Sequence, residues 1–145
     1  MRMNTVETSN ELLEAHECEA LVIACMDFRF VEATYKFVRD VLKIPSFDFI
    51  TVPGASKGVA ERNTLGKYEF DVTALSQRLH KIKKVILVNH ATCGAYGIPE
   101  IEQEAKKQEQ DLRSAKAMFE KTFPGVTVQL FFAKKGDGEI IYEAL

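Results

Sequence analysis

Short apolar runs alternating with segments of helical period predict an α/β fold for this 145-residue chain. The expected architecture is a mainly parallel central sheet of four to five strands with helices on both faces. Three observations carry it. Leu21-Val22-Ile23-Ala24 and Val85-Ile86-Leu87-Val88 are continuous apolar runs, the pattern of strands buried on both faces. Phe47 to Val52 and Val126 to Ala133 are rich in β-formers. The stretches between these runs repeat their apolar residues at helical spacing and are long enough for crossover connections.

Taken in order, Glu7 to Glu17 carries Leu12, Leu13 and His16 among acids and reads as a short amphipathic helix. Ala20 to Cys25 is the first strand. Phe30 to Leu42 places Phe30, Ala33, Phe37 and Val41 on a helical period, and Pro45 stops that helix. Phe47 to Val52 is a second strand, ending at Pro53-Gly54 in a loop that runs to about Asn63. Thr64 to Lys81 is a helix carrying Leu65, Tyr68, Phe70, Val72, Leu75 and Leu79. Lys83 to His90 is the third strand. Pro99 suits a first helical turn, so Glu100 to Phe123 is a long helix ended by Pro124-Gly125. Val126 to Ala133 is a fourth strand, Gly136-Asp137-Gly138 a turn, and Glu139 to Leu145 a short edge strand.

Length and a hydrophobic content of 46% suit one domain, residues 1–145, with one sizeable core. Net charge is -2 and no Lys/Arg block exceeds two residues, which argues against nucleic acid or an acidic membrane as partner. A small molecule is expected instead. No apolar stretch is long enough to span a bilayer, and Met1 to Asn10 is too polar for a secretory signal, so a cytoplasmic protein is expected. Three cysteines, two of them at strand ends, favour metal over disulfides in a reducing compartment.

Cys25 closes the first strand, and His90 with Cys93 follows the third. Two thiolates and an imidazole suit Zn²⁺ and leave a fourth tetrahedral position free, as in a catalytic site. If the two strands are neighbours, the three residues meet at the carboxyl ends of the sheet, where ligands of such folds gather. Asp27 and Arg29 leave the same turn as Cys25 and can orient a metal-bound water. The residues alone leave other readings open: a core thiol beside a hydrogen-bonded histidine, a redox thiol pair, and for Asp27 with Arg29 a surface ion pair or a helix cap.

Cys25-Met26-Asp27-Phe28-Arg29 resembles the Cys-x-Asp-x-Arg signature of the β-class carbonic anhydrases, and His90-Ala91-Thr92-Cys93-Gly94-Ala95 resembles their His-x-x-Cys-Gly segment. The likeness runs from about Leu21 to Gly97 and implies a β-carbonic anhydrase-like fold. It implies Cys25, His90 and Cys93 as zinc ligands and Asp27 with Arg29 as the catalytic dyad. The implied activity is that of a zinc lyase (carbonate dehydratase) hydrating CO₂ reversibly to bicarbonate by zinc-bound hydroxide. In this family the Asp can instead swing onto the metal and close the site. A homodimer or higher homo-oligomer is also implied.

The sequence departs from that family where Arg-Asn-Ala is usual after the second strand: here Val52-Pro53-Gly54-Ala55-Ser56-Lys57-Gly58 stands instead. Asn89 replaces the usual Gly before the ligand His, and no glutamine matches the one the family's helical arm supplies. A loop bearing Gly54, Ser56 and Lys57, with Gly94 nearby, offers backbone N–H groups and an ammonium to a substrate or anion. The rebuilt loop keeps two alternatives open: a related zinc hydrolase acting on another small electrophile, and a non-catalytic zinc or anion-binding module. His16 and His80 read as solvent-facing, Cys18 as structural, and Tyr96 as either lining the site or packing.

Overall fold

The structure, a computed structural model, describes residues 1–145. Its sheet has the strand order β2-β1-β3-β4-β5, formed by β1 (Ala20–Cys25), β2 (Phe47–Val52), β3 (Lys84–His90), β4 (Thr127–Lys135) and β5 (Ile140–Ala144). The first four strands are parallel and β5 returns antiparallel on β4. All six residues of β1 are buried, as are Val85 to His90 of β3, which is why these two read so plainly as apolar runs.

Helices cover both faces. On one, α2 (Phe28–Lys36) and the π-helical turn Phe37–Val41 set Phe30, Phe37, Val38 and Leu42 against Ala20, Val22, Ile86, Val88 and Phe131. On the other, α3 (Lys57–Glu61), α4 (Thr64–His80) and α5 (Ile101–Thr122) set Val59, Phe70, Val72, Leu112, Ala115 and Phe119 against Leu21, Ile23, Leu87 and Leu130. Phe70 meets Phe119 and Phe123 edge-on.

Four details differ from the sequence expectation. The first helix, α1, spans only Asn10–Glu14 and buries nothing, so Ser9 capping Leu12 N–H is its main support. Helix α2 begins at Phe28 and passes into a π-helical turn, with Lys43 in the left-handed region where it leaves. The segment after Pro53 is not an open loop. It folds into α3, seated because Gly58 and Gly66 let the two helix backbones touch: a Cβ on Gly66 would stand 2.3 Å from Gly58 O. Finally, α4 buries Gly66, Glu69, Thr73 and Ser76, while Leu65, Tyr68, Leu75 and Leu79 of its apolar stripe are exposed.

The chain runs outward from β1 to β2 and then back across β1 to β3. That reversal is the topological switch point at which such sheets bind ligands. No helix is long and apolar enough to cross a membrane.

Candidate metal centre

Cys25 ends β1 and His90 ends the adjacent β3, so parallel pairing of the strands brings together residues that the sequence separates widely. Beyond His90 the chain turns sharply, with Thr92 at φ +58°, and returns Cys93 toward the same point. Helix α5 fixes that turn. The Glu104 carboxylate accepts hydrogen bonds from Thr92 N–H (2.6 Å) and Cys93 N–H (3.0 Å), and Gln108 Nε2 donates to His90 O (2.8 Å). Glu104 and Gln108 are buried although α5 reads as a charged surface helix; their i,i+4 spacing was the one available signal that they share a face.

All three donor residues are at most 6% exposed. Their ligand atoms lie within 4.8 Å of one another, and the Cys25 and Cys93 sulfurs are 3.8 Å apart. That separation is far beyond a disulfide bond. Two zinc–sulfur bonds of about 2.3 Å at a tetrahedral angle place their sulfurs ~3.8 Å apart. His90 Nδ1 lies 2.8 Å from Ala91 O, which can only accept, so Nδ1 carries a proton and Nε2 is the nitrogen left to meet a metal. That Nε2 is buried without a partner. Phe30 stacks on the ring at 4.3 Å and holds its plane. A buried, unpartnered imidazole nitrogen beside two sulfurs at this spacing fits a zinc ion.

The thiols are themselves polarised. Cys25 is drawn well below the usual thiol range, first by the hydrogen bond from Cys93 and then, against burial, by His90 and the backbone amides of Gly54 and Asp27. Cys93, the donor of that bond, is pushed up. The low-lying thiolate is the metal-binding form.

Asp27 caps α2, accepting Arg29 N–H at 3.0 Å, and its two oxygens take the Arg29 guanidinium as a fork, Nε to Oδ1 at 2.9 Å and Nη2 to Oδ2 at 2.5 Å. Cap and ion pair are therefore one arrangement. Arg29 holds the Asp27 carboxyl down to about 2, and Oδ2 stands 3.8 Å from His90 Nε2. A cavity of about 680 Å³ opens here, walled by Cys25, Met26, Asp27, Phe28 and Arg29 on one side and by Pro53, His90, Cys93, Gly94 and Ala95 on the other.

Of the four residues expected to meet an anion, Gly94 lines this cavity. Gly54 lies behind it, where its amide supports Cys25. Ser56 is fully buried, its N–H given to Asn89 Oδ1. Lys57 turns toward Glu61 (3.5 Å) and the Tyr96 ring (5.8 Å). From the segment Pro53 to Gly58, Pro53 lines the cavity. Tyr96 packs rather than lines: its hydroxyl accepts from Asn89 Nδ2 and donates to Asp111, which Lys107 neutralises.

The sequence profile of the family described as "Putative carbonic anhydrase" matches residues 15–141. The chain belongs to this family. An uncharacterized protein of Rickettsia conorii is 32% identical over 149 residues, which cover 95% of this chain and 80% of that one. A second, from Rickettsia bellii, is 34% identical over 95% of this chain and 91% of its own length. A carbonic anhydrase from Glaciozyma antarctica matches in structure with a TM-score of 0.60 at 14% identity, over 92% of this chain and 86% of that chain. At that identity the likeness is one of fold. Carbonic anhydrase family and fold together support a carbonic anhydrase-like function.

Proposed function

We propose that this protein is a single-domain zinc lyase that interconverts CO₂ and bicarbonate, with Cys25, His90 and Cys93 as the metal ligands and Asp27 and Arg29 as the catalytic pair. The observation that carries this is the compact donor set at the sheet's switch point with an ionised carboxylate held at its rim. Bound zinc supplies Lewis acidity, which makes hydroxide available near neutral pH. The chain's own residues do the rest. Asp27, kept ionised by Arg29, can only accept a hydrogen bond; it therefore holds the attacking oxygen by its proton and leaves a lone pair facing the substrate. Its pairing with Arg29 engages both carboxylate oxygens, which supports the open arrangement in which Asp27 would not be a metal ligand. Apolar groups of Pro53, Phe28 and Ala95 suit CO₂, and the Gly94 side of the cavity admits the product anion.

Because Pro53 and the buried Ser56 replace the family's usual Arg-Asn-Ala wall, a zinc hydrolase of another small electrophile is the second reading. Stopped-flow CO₂ hydration by the zinc-loaded chain separates them. An Asp27-dependent rate above buffer supports the lyase, whereas no such rate together with Asp27-dependent turnover of small esters or heteroallenes supports the hydrolase. We also propose a homodimer or higher assembly, supported by the exposed stripe Leu65, Tyr68, Leu75 and Leu79, whose steps of 3, 7 and 4 keep these residues on one helix face.

A further inference from the structure

At the opposite, amino-terminal edge of the sheet lies a second group of unlike donors. Cys18 precedes β1, Asp48 is the second residue of β2, and His80 is the last of α4; its carbonyl accepts the Cys18 N–H at 3.0 Å. The Cys18 sulfur, an Asp48 oxygen and a His80 ring nitrogen all lie within 4.8 Å of one another. His80 Nδ1 stands 2.8 Å from Asp48 Oδ2, and Ser76 Oγ donates to the same oxygen at 2.5 Å, fixing the carboxylate from behind. The three surround a small cavity of about 130 Å³ that His16 and Glu17 also border. Cys18, read from the sequence as structural, stands here beside Asp48 and His80, and His80 is half exposed and paired with Asp48.

From this cluster we infer a second metal site, in which Cys18, Asp48 and His80 bind a zinc-type divalent ion. Sulfur, nitrogen and one oxygen are donors that zinc takes tetrahedrally, and thiolate plus carboxylate balance the ion's charge. Binding exchanges protons for metal: the Cys18 S–H bond breaks, its proton goes to solvent, and the sulfur pair enters the new bond. The His80 Nδ1 proton shared with Asp48 passes through water to Nε2, or to solvent where the ring is doubly protonated, which frees the Nδ1 lone pair and the Asp48 oxygen for the ion. A cysteine nucleophile served by His80 and Asp48 is the competing use of these groups, and it needs a thiol drawn down. Burial, and then the Asp48 charge, push Cys18 up instead. Because the thiol must give up its proton to bind, metal affinity should rise with pH.

This site is independent of the one at the carboxyl edge, and its test keeps the two apart. The full chain is stripped with a chelator and titrated with Zn²⁺ against a chromophoric competitor. Wild type should take up about two equivalents, and Cys18→Ser, His80→Ala and the double variant Cys25→Ser/Cys93→Ser about one each. In the Co²⁺-loaded chain, Cys18→Ser should also lose part of the sulfur-to-metal absorption. Equal uptake by wild type and His80→Ala overturns the inference, as does a folded Cys25→Ser/Cys93→Ser chain that binds nothing. A single equivalent removed by His80→Ala but kept in Cys25→Ser/Cys93→Ser would uphold this site and refute the other.

Discussion

The sulfurs of Cys25 and Cys93 stand 3.8 Å apart although 68 positions separate them in the chain. Two strands and one pinned turn set that distance. Every claim about chemistry at the carboxyl edge depends on those elements holding it, and each can be perturbed separately.

Replacing Asp27 by Asn keeps size and the helix cap but lets the side chain donate, so it can no longer select the orientation of a protonated oxygen. Turnover should fall by about 10²-fold or more with zinc content unchanged. Arg29→Lys should fall between, because an ammonium cannot span both carboxylate oxygens as the observed fork does. Stopped-flow rates measured beside metal analysis separate loss of catalysis from loss of zinc.

Glu104 touches no substrate, yet both its oxygens hold the turn that carries Cys93. Glu104→Gln leaves one acceptor and should weaken zinc affinity by roughly 10- to 100-fold. Competition titration with a chelator reads this; unaltered affinity in a folded variant would mean that the turn holds itself.

Glu69 is fully buried with neither oxygen partnered, and burial raises its carboxyl from 4.5 to about 8. Between those values the unfolded chain has lost the proton and the folded chain retains it. Stability therefore falls as pH rises across that window and levels off above it, by an amount on the order of a few kcal/mol. Glu69→Gln should flatten the slope and be the more stable protein at pH 8 in urea melts. Parallel pH profiles for the two proteins would contradict the burial account.

Leu75 is 44% exposed on the outward stripe of α4. Light scattering should give wild type at least twice the 16.4 kDa chain mass, and Leu75→Glu should return it to one chain. A monomeric wild type, or a variant of unchanged mass, would remove α4 from any self-association.

How much could be seen without the fold follows from which interactions are local. β1 and β3 were legible because both faces of each are covered, so no polar residue interrupts them. The Cys25, His90 and Cys93 set was legible because its members sit at strand ends and the two short motifs carry family likeness. Helix α3 was not, since five residues containing a glycine have no helical pattern; what makes them a helix is the Gly58 and Gly66 contact with α4. For α4 the periodicity identified the helix and not its inner face, where Gly66, Glu69, Thr73 and Ser76 stand beside Phe70 and Val72. Cys18, Asp48 and His80 were invisible as a group: 30 or more residues separate each from the next, and only the return of α4 to the start of β1 unites them.

The most direct test of the central claim is zinc-edge X-ray absorption on the zinc-loaded His80→Ala chain, which isolates the carboxyl-edge site. The account predicts about one zinc per chain with two sulfurs near 2.3 Å and a nitrogen near 2.0–2.1 Å. A chain without stoichiometric metal, or a shell lacking two sulfurs, would contradict it.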